Sequence, residues 1–171
     1  MYRTILFCLV LMLISGSAVT AQDPQFSQFY AAPLYLNPAM AGSTGQARAG
    51  LNYRNQWPAI DANFTTMDVY FDYFIEDKNS GVGAFISRDV EGLAGLRSLQ
   101  IALQYSYDIR LAEGVGFRPG FQFALFNRDI NFSKLTFGDQ FNGVDFSNPS
   151  SENLNAGNSK TFIDLSAGGL F

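Results

Sequence analysis

Asp68 and Asp72, two carboxylates four positions apart, are the first residues in this chain that invite a chemical reading. Paired carboxylates can divide acid and base work between them. Both lie where apolar and polar residues alternate, so they share one face of a strand, two side-chain repeats or about 13 Å apart. Cooperating carboxylates in glycosidases sit about 5–9.5 Å apart, so these two read as solvated charges. Other routes close as quickly. The chain has no histidine, and its one cysteine, Cys8, lies in an N-terminal apolar run. No Ser-His-Asp or Cys-His site can be assembled, and zinc would have only carboxylates to bind. Gly81-Val82-Gly83 lacks the third glycine and the helix of a dinucleotide loop. Asp139, Asp145 and Glu152 lack calcium-loop spacing. Arg48 and Arg118 alternate onto the polar face with Asp68, Asp72 and Asp108 and are placed to pair there, a structural role. Asn63-Phe64-Thr65 and Asn131-Phe132-Ser133 match a glycosylation triplet that is common by chance. The expectation is no enzyme and no cofactor.

The elements that position these residues are strands, read by period-two alternation. From 97 to 109, Leu99, Ile101, Leu103, Tyr105, Tyr107 and Ile109 oppose Gln100, Ala102, Gln104, Ser106 and Asp108. From 115 to 125, Val115, Phe117, Phe121, Phe123 and Leu125 oppose Gly116, Arg118, Gly120, Gln122 and Ala124. Shorter alternations cover 47–53, 65–73, 81–87 and 162–171, which makes six strands, most near the ~9–11 tilted residues that cross a membrane. The connections 75–81 and 111–114 are compact, whereas 89–96 is longer and 129–160 is a polar stretch of about 30 residues. Membrane barrels have short periplasmic turns and longer external loops. The first two connections are therefore assigned to the periplasm and the other two to the exterior.

Composition agrees. Seventeen phenylalanines and eight tyrosines are a heavy load for a soluble domain of 171 residues, and aromatic girdles are typical of membrane barrels. Residues 1–21 read as a secretory signal peptide: Arg3, the apolar run 5–14 and the small-residue site Val19-Thr20-Ala21. The run is about half the ~20 residues of a spanning helix, and Ile5-Leu6-Phe7 before Cys8 is unlike a lipoprotein site. Removal of Arg3 takes the formal charge from −4 to −4 − 1 = −5. An acidic chain without a basic run argues against nucleic acid as a partner. An exported chain that enters a membrane without spanning helices must do so as a closed barrel.

Residues 22–45 form a separate segment, followed by the barrel portion 46–171. The segment contains Asp23-Pro24-Gln25-Phe26-Ser27-Gln28, then Tyr30, Leu36-Asn37-Pro38-Ala39 and Gly42, and it is followed by Tyr53, Arg54, Gln56 and Trp57. This order resembles the opening of the PorP/SprF family, outer-membrane proteins of the type IX secretion and gliding machinery. The resemblance implies an all-β, transmembrane antiparallel barrel in the outer membrane. It further implies work with secretion components to secrete or anchor cell-surface proteins such as gliding adhesins, whose C-terminal domains some members receive. The sixteen matched positions, together with the loop 129–160, are the expected partner contacts. Prolines 24, 33 and 38 predict an extended, irregular segment. Two roles for it are compatible: a plug, with Phe26, Phe29, Tyr30 and Tyr35 packed on the barrel interior and a turn at Asn37-Pro38, or a contact for other secretion components. Trp57, beside Pro58 at a strand end, suits a membrane interface.

Six strands fall short of the eight of the smallest barrels, and family members are about twice this length. The chain therefore reads as an N-terminal half that is not expected to fold alone. Two other functions remain open. A porin or solute channel is suggested by the polar lumen face, although a free pore needs no plug. An outer-membrane barrel enzyme is made poor by the missing histidine.

Overall fold

The computed structural model describes residues 28–60, 63–92, 95–131, 135–151 and 159–171. The expected signal peptide, Asp23 to Ser27 of the motif, and Glu152 lie outside the described residues. Seven strands form one antiparallel sheet: β1 (Arg48–Gln56), β2 (Phe64–Ile75), β3 (Ser80–Glu91), β4 (Leu96–Tyr107), β5 (Ile109–Ala112), β6 (Val115–Asp129) and β7 (Ser159–Leu170). Neighbours in sequence pair in turn from β1 to β4. β6 then pairs with β4 along Arg97↔Asp129 to Ser106↔Gly120 and with β5 at Ile109↔Phe117. Its other edge carries β7, from Arg118↔Leu170 to Asp129↔Ser159.

The count of six strands becomes seven because the alternation through 97–109 is broken at Asp108. Its N–H donates to the Asn79 carbonyl (2.8 Å), and its carboxylate accepts from Arg118 Nη2 at 2.9 Å. The register with β6 is the same on both sides, Ser106↔Gly120 and Ile109↔Phe117, but Pro119 has no N–H to give the ladder there, so pairing lapses and β5 restarts beyond it. The strands also run further than alternation suggested. β3 reaches Glu91 and β4 begins at Leu96, so most of the expected long connection 89–96 belongs to the two strands.

The two faces of the sheet are chemically inverted relative to a water-soluble fold. Leu99, Ile101, Leu103 and Tyr105 of β4 are exposed, while Gln100, Gln104 and Ser106 between them are buried. β2 does the same, with Met67, Val69, Phe71 and Tyr73 exposed and Thr66, Asp68 and Asp72 buried. Exposing a continuous apolar wall to water is costly, whereas lipid removes that cost. This is the outward-apolar, inward-polar pattern of a membrane barrel wall. Among the described residues no helix is long and apolar enough to cross a membrane. The small apolar core lies on the concave side, where Leu34 and Ala41 meet Phe85, Ala102 and Ala124.

Candidate functional site

What fills the concave face is the chain's own segment 28–45. In place of the expected extended, irregular run it forms three short helical turns, Phe29–Ala31, Pro33–Leu36 and Pro38–Met40. The prolines explain the difference: Pro33 and Pro38 each open a turn, where a fixed φ is helical and no N–H is needed. Asn37 caps the last turn by accepting from the Ala39 N–H at 2.9 Å, and its Nδ2 donates to the Gly169 carbonyl of β7. The turn expected at Asn37-Pro38 is thus present and bound to the sheet.

The sheet holds this segment through its backbone. Asn52 Nδ2 donates to the Ala31 carbonyl (2.9 Å), Gln104 Nε2 to that of Leu34 (2.6 Å), Arg48 Nη2 to that of Met40 (3.1 Å) and Ser106 Oγ to that of Ala41 (2.7 Å). A buried carbonyl without a donor costs about 1–3 kcal/mol, so these side chains, spread over β1 and β4, decide where the segment can lie. Two glycines make the close approach possible. A Cβ at Gly42, whose φ is +66°, would stand 2.7 Å from the Gly81 Cα. One at Gly120 would overlap the backbone of Ala39.

Asp72 closes the end of the segment. It accepts from Arg48 Nε at 2.9 Å, Arg48 Nη2 at 3.0 Å and the Gly42 N–H at 2.7 Å, and its exposure is 0 %. The pairings expected of Arg48 and Arg118 therefore form, with Asp72 and Asp108 respectively. The reading of Asp68 and Asp72 as solvated charges is overturned, because segment 28–45 covers the face on which they stand. Asp72 is matched by a cation and a backbone donor. Asp68, 1 % exposed, has only a 3.4 Å hydrogen bond from Asn52 Nδ2 on Oδ2 and none on Oδ1.

At the opposite end of the strands, residues 135–151 of the long connection hold themselves together. Asn142 Oδ1 accepts from the N–H groups of Val144 and Asp145, while Asp139 accepts from the Ser151 N–H at 2.6 Å and from both serine hydroxyls at 150 and 151. The Ser151 backbone bond, above all, holds the Asp139 carboxyl below its ordinary value. Phe141 and Phe146 pack together with ring centroids 5.1 Å apart, and both remain half exposed beside a fully exposed Val144.

The model of the family described as type IX secretion system membrane protein PorP/SprF matches residues 18–171. The chain belongs to the PorP/SprF family. It is a type IX secretion system membrane protein, and its curled sheet is wall of the barrel that the sequence led us to expect. No curated protein and no solved structure matches it.

The structure divides the sixteen motif positions of this family member. Asn37, Pro38, Ala39 and Gly42 are spent inside, on the turn, the packing and the Asp72 contact. Gln28, Tyr30 and Leu36 are exposed. Of the four expected plug aromatics, Phe26 lies outside the described residues, Phe29 and Tyr30 are exposed, and Tyr35 packs on the sheet, edge-on against Phe85 at 6.0 Å. Arg54 and Gln56 bond to each other on the concave side of β1 (2.6 Å), and Tyr53 stands on the convex side beside the apolar wall. Trp57 follows β1, exposed, edge-on to Phe64 at 5.5 Å, with an unusual φ of +56°. Gln104, Ser106 and Asn52, which grip the segment, had been read only as lumen-facing polar positions. Their signal in the sequence was the side of the alternation they occupy, which carries no information about what they bind.

Proposed function

We propose that this chain works in the outer membrane as a non-enzymatic binding component of type IX secretion and gliding, helping to secrete or anchor cell-surface proteins such as adhesins. The observation that carries this reading is the pairing of an apolar outer wall with a concave face already filled by segment 28–45. A wall that faces lipid and encloses its own chain suits docking better than solute passage, so the porin reading ranks second. Partner contact falls to the exposed motif residues Gln28, Tyr30, Leu36 and Trp57, with Asp23 to Ser27 upstream, and to the self-bonded loop with its exposed Phe141, Val144 and Phe146. The occupant of that surface is the C-terminal domain of a secreted client or another secretion component. The strained backbone of Trp57 fits a position kept for contact rather than for stability.

Deletion of the complete gene, followed by quantitative mass spectrometry of surface and medium proteins, tests the proposal. Loss of one or a few large surface proteins is the expected result and marks a dedicated anchoring partner. Loss of every type IX client would make the protein a core component of the machine. An unchanged secretome, with porin-sized conductance in planar bilayers, would overturn the proposal in favour of a channel.

A further inference from the structure

Asp68 is the one described carboxylate whose surroundings do not account for its burial. It is 1 % exposed, Oδ1 has no hydrogen-bond partner, and Oδ2 has only the long contact to Asn52. A carboxylate withdrawn from water without a partner costs several kcal/mol, which Asp72, two side-chain repeats further along the strand, avoids by its three donors.

The strand register shows what stands around Asp68. Asn52 pairs with Asp68, Asp68 with Ser87, and Ser87 with Gln100, so these four oxygen-bearing side chains form one continuous row on the concave face. Residues directly opposite have Cβ atoms about 4.5–5.5 Å apart. Asp89, two residues beyond Ser87 on the same face, is diagonal to Asp68, at about 7–8 Å between backbones, a gap that an ion can bridge between two carboxylates. Asp68, Ser87, Asp89 and Gln100 are all buried. Asp89 uses Oδ1 to accept from Thr66. No three histidine, cysteine or carboxylate groups converge among the described residues. An ion held here would therefore have two carboxylates and a set of neutral oxygens.

We propose that this row holds a hard divalent cation, with Asp68 and Asp89 as its anionic ligands and Ser87 and Gln100 as neutral ones. Calcium fits better than magnesium. It accepts irregular sets of carboxylate, amide and hydroxyl oxygens, whereas magnesium demands octahedral geometry and keeps its waters, which a site roofed by segment 28–45 has little room to supply. With two carboxylates the affinity belongs to the weak class of extracellular modules, about 10⁻⁴–10⁻³ M. Because Asn52 Nδ2 donates both to Asp68 and to the Ala31 carbonyl, the ion also steadies the first turn of the segment.

The test uses the product of the complete gene, purified in its folded form from outer membranes into a nonionic detergent, where no lipid phosphate competes, and stripped with a chelator. Calcium chloride is then titrated against magnesium chloride and sodium chloride at matched ionic strength. The expected result is a rise in unfolding midpoint that saturates with calcium at submillimolar to millimolar concentration. Equilibrium dialysis with radioactive calcium should find one ion per chain. Asp68→Asn should weaken binding at least tenfold, while Asp139→Asn, whose carboxylate is taken up by Ser150 and Ser151, should leave it unchanged. If Asp68→Asn fails to fold, Asp89→Asn and the dialysis of the wild type decide. Less than one ion per chain, a midpoint indifferent to calcium, or a calcium response retained without Asp68 would each overturn the proposal. A midpoint that Asp68→Asn raises, with no calcium effect, would identify Asp68 as a carboxyl kept neutral by its own proton.

Discussion

Replacing Asp72 with asparagine tests whether the sheet holds the N-terminal segment in place. The substitution keeps the volume of the side chain, so its effect reports charge and acceptors rather than packing. Asp72 Oδ2 receives the Gly42 N–H and Arg48 Nη2, and Oδ1 receives Arg48 Nε. An amide oxygen in the place of Oδ2 keeps two of the three bonds and turns an N–H toward Arg48 Nε, so one charge-assisted bond is lost, at about 1.5–3 kcal/mol, and the other two lose the carboxylate charge. Breaking one side of a buried pair costs about 3–5 kcal/mol. Arg48 is 23 % exposed along its side chain and recovers some hydration, which places the loss near the lower bound. We expect about 3 kcal/mol, equivalent to roughly a hundredfold in the equilibrium for releasing the segment. Denaturant unfolding of the complete gene product in detergent reads the stability. Release is read by maleimide labelling of Met40→Cys, a half-buried position in the last turn of the segment, in a chain whose only native cysteine is Cys8. Labelling should accelerate in the Asp72→Asn background and stay slow in the parent. A loss below about 1 kcal/mol, the worth of an ordinary hydrogen bond, with unchanged labelling, would refute the idea that Asp72 latches the segment.

Leu103, near the middle of β4 and 61 % exposed on the convex face, should tolerate arginine badly in a bilayer, losing about 2–4 kcal/mol as lipid-facing positions at the midplane do; unfolding measured in liposomes against detergent checks this, since the penalty should shrink in the micelle. The Asp139 carboxyl, held below its ordinary value of 3.8 by the Ser151 N–H, contributes order to residues 135–151 that is complete above that pH and lost as pH falls through the lowered value. Hydrogen exchange of the Ser151 amide should therefore be slow from neutrality to about pH 4 in this sense, and Asp139→Asn should remove the protection at every pH.

The polar network shows how far alternation reaches. Period two in 97–109 assigned Leu103 outward and Gln104 inward, and the structure agrees because a pleated strand has only two faces and one of them must meet lipid. The same rule ran across Asp108 without a break, since it registers polarity and is blind to the missing N–H of Pro119 on the facing strand, where the pairing lapses. Proline counting in 28–45 removed long strands correctly but could not separate an extended run from a chain of single turns, because Pro33 and Pro38 suit the first position of a helical turn as well as irregular backbone.

The residues by themselves therefore determined the all-β architecture, the lipid-facing and inward-facing sides, and, through the order of the motif, the PorP/SprF family. These properties are local: each needs only the period of a strand or a run of neighbouring residues. The tertiary structure alone decided that Arg48 meets Asp72, that Gln104 and Ser106 hold carbonyls 70 and 65 residues away in sequence, and that Asp68 is roofed over rather than bathed in water. Those outcomes depend on strand register and on the N-terminal segment folding back across β1 to β7. Both are set by long-range packing, by the bare Cα of Gly120 and Gly42, and by donors that must find buried carbonyls.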